Sequence, residues 1–186
     1  ALLIFQKPWT YWIPKSLSFL KIGHTIYDPK FKMRKMTSFQ AGMLRNWMLK
    51  VEKLNCCRKY HVLSWQKAAS KTGIPCFAKK NHDQKFIRFP FRIENKKLWQ
   101  YALATSEKIG IGIMFTYPND ISQIKALQSQ FNGRLQFPGA EKLVNSLLTL
   151  PVHPYLTHSD SENIERYLTH LGKKYLQLNE YKNEYK

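Results

Sequence analysis

The stretch with the most chemical potential is LLTLPVHPYLTHSDSENIERYL, residues 147–168, where His153 stands between Pro151 and Pro154. An imidazole can pass protons near neutral pH or bind a metal, so His153 is the first candidate for chemistry. His158 and Asp160 follow two residues apart, and His82-Asp83 forms a second pair in HDQK. Each of these has a structural explanation that outweighs the chemical one. Ser, Asp and Glu at a helix entry are capping residues. A histidine in a proline-flanked turn is commonly satisfied by backbone, and an acid–base role for His153 needs a second titratable group that the pattern does not supply. Cys56, Cys57 and Cys76 form no CxxC, and the chain carries no zinc signature, GxGxxG, phosphate-binding loop or GxSxG. On residue types alone, the chain reads as a basic α+β domain.

The elements that must hold these residues are legible from periodicity. Phe39, Met43, Trp47, Val51, Leu54, Val62 and Trp65 recur at threes and fours, which predicts one long helix over 38–70. Thr37 and Gln40 form its capping box, and Gly73 with Pro75 ends the segment. Such a helix spans about 50 Å and suits a bridge between two bodies. KFIRFPFRI, 85–93, alternates, with Ile87, Phe89, Phe91 and Ile93 on one side and Arg88 and Arg92 on the other. Pro90 makes it an edge strand. Asn95 caps a helix to about Glu107. A strand over 111–117, a short helix or turn over 120–130, a helix over 139–149 and a short strand LTLPV complete the order. Ser159 with Glu162 reads as a capping box, and the last helix should end at Gly172. The expected fold is therefore α+β: a small, mostly antiparallel sheet of about three strands covered by helices and preceded by a long linking helix. The expected divisions are an irregular basic aromatic arm (1–36), the domain with its long first helix (37–172) and a polar tail (173–186).

Net charge is +18, and it is uneven. Residues 1–100 hold 21 Lys and Arg against 4 acids, whereas residues 101–186 hold 9 against 8. Such an excess meets nucleic acid, an anionic membrane surface or an acidic partner. Of the 30 basic residues 23 are lysine, which also suits scattered solvated faces. No apolar run is long enough for a membrane-spanning helix. The odd cysteine count points to free thiols in a reducing cytoplasm. The first residue is not methionine, so a processed or excised chain is expected.

FPGAEKLVNSLLTLPVHPYLTHSDSENIERYL resembles the C-terminal end of the DegT/DnrJ/EryC1/StrS family, pyridoxal-phosphate-dependent sugar aminotransferases of fold type I. Ala140, Glu141, Leu150, Pro151, His153, Pro154 and Leu156 match its pattern. RKMTSFQAGML is similar to the family's segment at the start of the helix joining large and small domains, through Met36, Gln40 and Ala41. IGIGIMFTYP resembles the Gly-Ile…His-Tyr-Pro strand, through Tyr117 and Pro118. The likeness runs over roughly 30–172 in order and spacing.

The resemblance implies a C-terminal small domain that completes an active site and a dimer interface and is not catalytic alone. Lys35, Gln40, Tyr117 and His153 are its motif positions near the domain interface, with no catalytic, cofactor-binding or metal residue in this chain. The resemblance implies pyridoxal phosphate for the full-length family, held on a lysine of an N-terminal large domain that would be this chain's missing partner. It also implies a homodimeric parent and a nucleotide-sugar substrate in polysaccharide or cell-surface sugar biosynthesis. Three departures stand out. SFLK, 18–21, holds its lysine too close to be the family's; Met33 replaces an Asn and Thr116 a His. The alternative reading is a stand-alone basic module for nucleic acid or an anionic surface.

Overall fold

The computed structural model describes residues 33–77, 85–128 and 137–184, with Leu17, Phe19 and Lys30; most of the expected 1–36 arm and the His82-Asp83 pair lie outside these. Helices are α1 (Ser38–Met43), α2 (Trp47–Thr72), α3 (Lys96–Ile109), α4 (Lys125–Gln128), α5 (Pro138–Val144) and α6 (His158–Glu184). Strands are β1 (Arg88–Arg92), β2 (Met114–Phe115) and β3 (Leu147–Pro151). They form one antiparallel sheet in the order β1-β3-β2. The α+β class and three-stranded antiparallel sheet are as the sequence predicts. No described helix is long and apolar enough to cross a membrane.

The core is the inner face of this sheet. Phe89 lies opposite Leu150 and Phe91 opposite Leu148, so all four side chains point the same way, and all are fully buried. They are roofed by Trp65 and Ala69 of α2, Leu98 and Ala102 of α3, and Ile164, Leu168 and Leu171 of α6. β1 is an edge strand, as Pro90 requires. The Pro90 carbonyl faces outward and accepts from Phe77 N at 3.3 Å, so its missing N–H also faces outward and the ladder to β3 loses no bond. Asn95 caps α3 by accepting from Leu98 N at 3.0 Å.

Six expectations are corrected. The helix over 139–149 ends at Val144, and Leu147–Thr149 belong to β3. The single helix over 38–70 is two: α1 stops at Leu44, and Asn46 takes a left-handed conformation (φ 57°) before α2. Asparagine tolerates that conformation, which breaks the helix ladder while the apolar spacing continues across it. Thr37 and Gln40 do form the predicted capping box. Ile87 precedes the strand and is 76% exposed. The strand over 111–117 is only Met114–Phe115, because the glycines before it form a turn. The capping box of α6 is Thr157 with Asp160 instead of Ser159 with Glu162: Thr157 N donates to Asp160 Oδ2 (2.8 Å) and Asp160 N to Thr157 Oγ1 (3.1 Å). Finally, α6 passes through Gly172 and runs to Glu184. A Cβ at Gly172 would sit 2.1 Å from Thr72 Cβ, so this glycine permits close approach of α2 and α6 and does not end a helix.

Candidate functional site

A cleft of about 460 Å³ opens at the Pro151 end of the sheet. Three elements build its wall. α3 ends at Gly110 in a left-handed turn (φ 72°), a conformation that costs glycine little. Buried Ser106 fixes that turn: its carbonyl accepts from Ile111 N (3.0 Å) and its hydroxyl from Ile113 N (2.8 Å). The Gly110–Gly112 backbone is thereby held against the end of β3. Trp65 anchors the same end from α2, donating Nε1–H to the Pro151 carbonyl at 2.9 Å. The first turns of α6 close the far side with Asp160, Asn163 and Ile164.

Arg88 is the central charge. Its side chain crosses the outer face of the sheet, where Nε donates to Thr149 Oγ1 (2.9 Å) and a terminal nitrogen to Thr149 O (3.2 Å) and Gly112 O. All three acceptors are neutral, and burial pulls the guanidinium pKa below its ordinary value. His153 lines the same cleft from the turn after β3, its ring centroid 6.0 Å from that of Tyr155. Its pKa is lowered, first by burial and then by the Arg88 charge; Asp160 and a backbone hydrogen bond oppose this. On α2, buried His61 stacks on Trp65 at 5.7 Å with its Nδ1 unpartnered. Burial, then the charge of His153, lowers its pKa too.

The four motif positions lie apart. Lys35 is exposed in the segment before α1. Gln40 spends its side-chain oxygen on Thr37 N (2.9 Å) in the α1 cap. Tyr117 follows β2 and is exposed, beyond the Leu147 end of β3, because β2 runs antiparallel to it. His153 is at the opposite end. No hydrogen bond or ion pair joins any two of them among the described residues. His158 pairs with Glu162 at 3.2 Å on the surface of α6. Among the described residues no three His, Cys, Asp or Glu side chains gather into a metal site. Sequence reasoning passes over Arg88, Gly112 and His61; for Arg88 the signal was a charged residue on the outer face of a strand beside proline.

A second feature is the surface of α1 and the first half of α2. Met36, Phe39 (77% exposed), Met43, Trp47 (52%), Met48 and Leu49 all face solvent there. An uncovered apolar strip of this extent marks an interaction surface. A covalently held pyridoxal phosphate, by contrast, needs a lysine amine within reach. Among the described residues no lysine lines the cleft, so these residues do not fit that group by themselves.

Residues 23–169 match the profile of the DegT/DnrJ/EryC1/StrS aminotransferase family. The fold is that of part of several solved aminotransferases. Spr1654 of Streptococcus pneumoniae, assigned as a sugar aminotransferase, superposes in its pyridoxamine-phosphate (PMP) form with a TM-score of 0.63 at 20% identity, over 83% of this chain and 40% of that one; a PLP form is also solved. A DegT/DnrJ/EryC1/StrS aminotransferase of Brucella abortus gives 0.60 at 18%, over 87% and 43%. PseC of Helicobacter pylori, an aminotransferase of pseudoaminic acid biosynthesis, gives 0.61 at 16%, over 86% and 46%. The chain thus spans less than half of these relatives. A search of the curated proteins finds no significant match.

Proposed function

The chain belongs to the DegT/DnrJ/EryC1/StrS aminotransferase family, and on that premise we propose that it is the linking-helix and C-terminal small-domain part of a nucleotide-sugar aminotransferase of the cytoplasm, serving polysaccharide or cell-surface sugar biosynthesis. Its role is to complete an active site and a dimer interface. The amino-transfer chemistry is that of pyridoxal phosphate, which supplies an electron sink when bound. The lysine that carries it comes from a large domain outside these residues.

The observation that carries this reading is the apolar strip on α1 and α2. Phe39, Met43, Trp47, Met48 and Leu49 are exposed on the segment that, in a two-domain protein of this family, leads from one domain to the other. Burying such side chains gains roughly 1.5–3 kcal/mol each. A second domain or subunit that covers the strip therefore binds strongly. The competing reading, a basic module for nucleic acid, draws on the net charge of +18 but gives Met and Leu in the strip no role.

The test is the triple substitution Phe39→Glu, Trp47→Glu, Leu49→Glu in the native gene product. All three residues lie outside the core, so thermal stability of this domain should hold while subunit or domain assembly and amino transfer are lost. Unchanged assembly and transfer would refute the reading.

A further inference from the structure

Among the described residues Arg88 is a cation without a counter-ion. It is half-buried, its three hydrogen bonds go to neutral oxygens, and no carboxylate lies within ion-pair distance of it among the described residues. A guanidinium held that way loses part of its hydration and gains no opposite charge, an arrangement that costs free energy unless an anion completes it. The position is not accidental. Thr149 on the central strand and Gly112 on the fixed turn after α3 orient the guanidinium at the edge of the cleft.

The surroundings add donors. His153 lines the same cleft, and a neutral imidazole still offers one N–H. Asn163 accepts from Arg166 through Oδ1 at 2.7 Å, which leaves its amide N–H groups for another partner. At Gly110 a Cβ would meet nothing within 4 Å, so the wall beside these groups is open backbone. Asp160 is the one acid among the described lining residues, and its Oδ2 is taken by Thr157 N and Thr157 Oγ1 (2.7 Å).

We propose that this cleft is a binding site for a small oxyanion, a carboxylate or a phosphate group, held on the Arg88 guanidinium with His153 and Asn163 as further donors. The other terminal nitrogen of Arg88, which donates to none of these three acceptors, offers its two N–H groups to either anion as charge-assisted donors. Asp160 across the cleft disfavours a bare multiply charged anion and favours one that carries its own hydrogen-bond donor, such as a hydroxyl. The site lies at the Pro151 end of β3, whereas Tyr117 lies beyond the Leu147 end. It includes Pro151 and His153 of the family motif but lies apart from Tyr117, and the anion titration reads it independently of amino transfer.

The experiment is a titration of the full chain, labelled with 15N-arginine, by inorganic phosphate in one arm and acetate in the other, with sodium chloride at matched ionic strength as control. The Arg88 Nε–H resonance should move saturably in at least one arm and not with chloride; which arm saturates at lower concentration identifies the anion. Arg88→Lys, which keeps the charge and loses the planar fork, should weaken binding about tenfold, equal to the loss of one charge-assisted bond. His153→Ala and Asn163→Ala, both exposed, test the site should Arg88→Lys disturb the fold, and each should weaken binding several-fold. Shifts that fail to saturate in both arms, or that chloride reproduces, overturn the proposal. So does binding that survives both His153→Ala and Asn163→Ala unchanged.

Discussion

Replacing Gly172 by Ala should destabilise the protein, although the same change in an ordinary helix interior stabilises. Alanine gains about 1 kcal/mol over glycine there from backbone entropy. At Gly172 the new methyl would stand 2.1 Å from Thr72 Cβ and 2.6 Å from its Cγ2. Carbon atoms sit comfortably near 3.5–4.0 Å, so α2 and α6 must part by more than an ångström. Thr72 cannot swing away, because the atom it presents first is its Cβ, and its hydroxyl is tied to Ala69 O at 2.9 Å. Overpacking of this kind costs about 1–3 kcal/mol, here at the upper end. The net effect should be a loss of about 1–2 kcal/mol, read as a lower urea midpoint at constant slope. Thr72→Gly removes the opposing Cβ. In that background Gly172→Ala should become neutral or stabilising, and the coupling between the two changes measures the contact. A Gly172→Ala variant as stable as the parent would show that α2 and α6 do not meet as described.

Phe89→Ala should cost about 3–5 kcal/mol, since the ring is fully buried against Leu150. Ile87→Ala, by contrast, should stay within about 0.5 kcal/mol of the parent in the same urea titration. Trp65→Phe keeps most of the buried volume but strips the Pro151 carbonyl of its donor, so it should cost about 1–3 kcal/mol and lower the melting temperature. The pH dependence has a definite sign. His61 and His153 both have folded pKa values below the unfolded 6.5, so the unfolded chain binds more protons as pH falls. Their contribution is complete above pH 6.5 and is lost as pH drops toward the folded values. Urea midpoints measured from pH 7.5 down to 5.5 should decline, and His61→Asn should flatten part of the slope; a flat parent profile would contradict the burial of His61.

The parts of the fold written in short-range pattern could be read directly. Alternation in RFPFR set the inner face, Asn95 and Thr37 announced their helices, and Pro90 identified an edge. Features that depend on one residue's backbone, or on elements meeting in space, could not. The apolar spacing from Met43 to Trp47 runs straight across the break at Asn46, because periodicity carries no information about a left-handed residue. Thr157/Asp160 and Ser159/Glu162 have the same spacing, and only the path of the chain out of β3 selects the first. Gly172 looked like a helix end because a close interhelical contact also demands glycine. The cleft was the least legible. Arg88, Gly112, Thr149 and His153 are distant in sequence, and alternation places Arg88 only on the face opposite Phe89; strand pairing and the Ser106-fixed turn bring them together. The family motifs, in contrast, were visible as local strings because they sit on single elements.

The central claim is that this chain is the small-domain part of a sugar aminotransferase and does not itself carry the cofactor-bearing lysine. It is tested most directly by incubating the chain with pyridoxal phosphate, reducing with borohydride and mapping the pyridoxyl groups by peptide mass spectrometry. The account predicts sparse labelling scattered over exposed lysines, with no site approaching one group per chain. Stoichiometric labelling of a single lysine within residues 1–186 would contradict it.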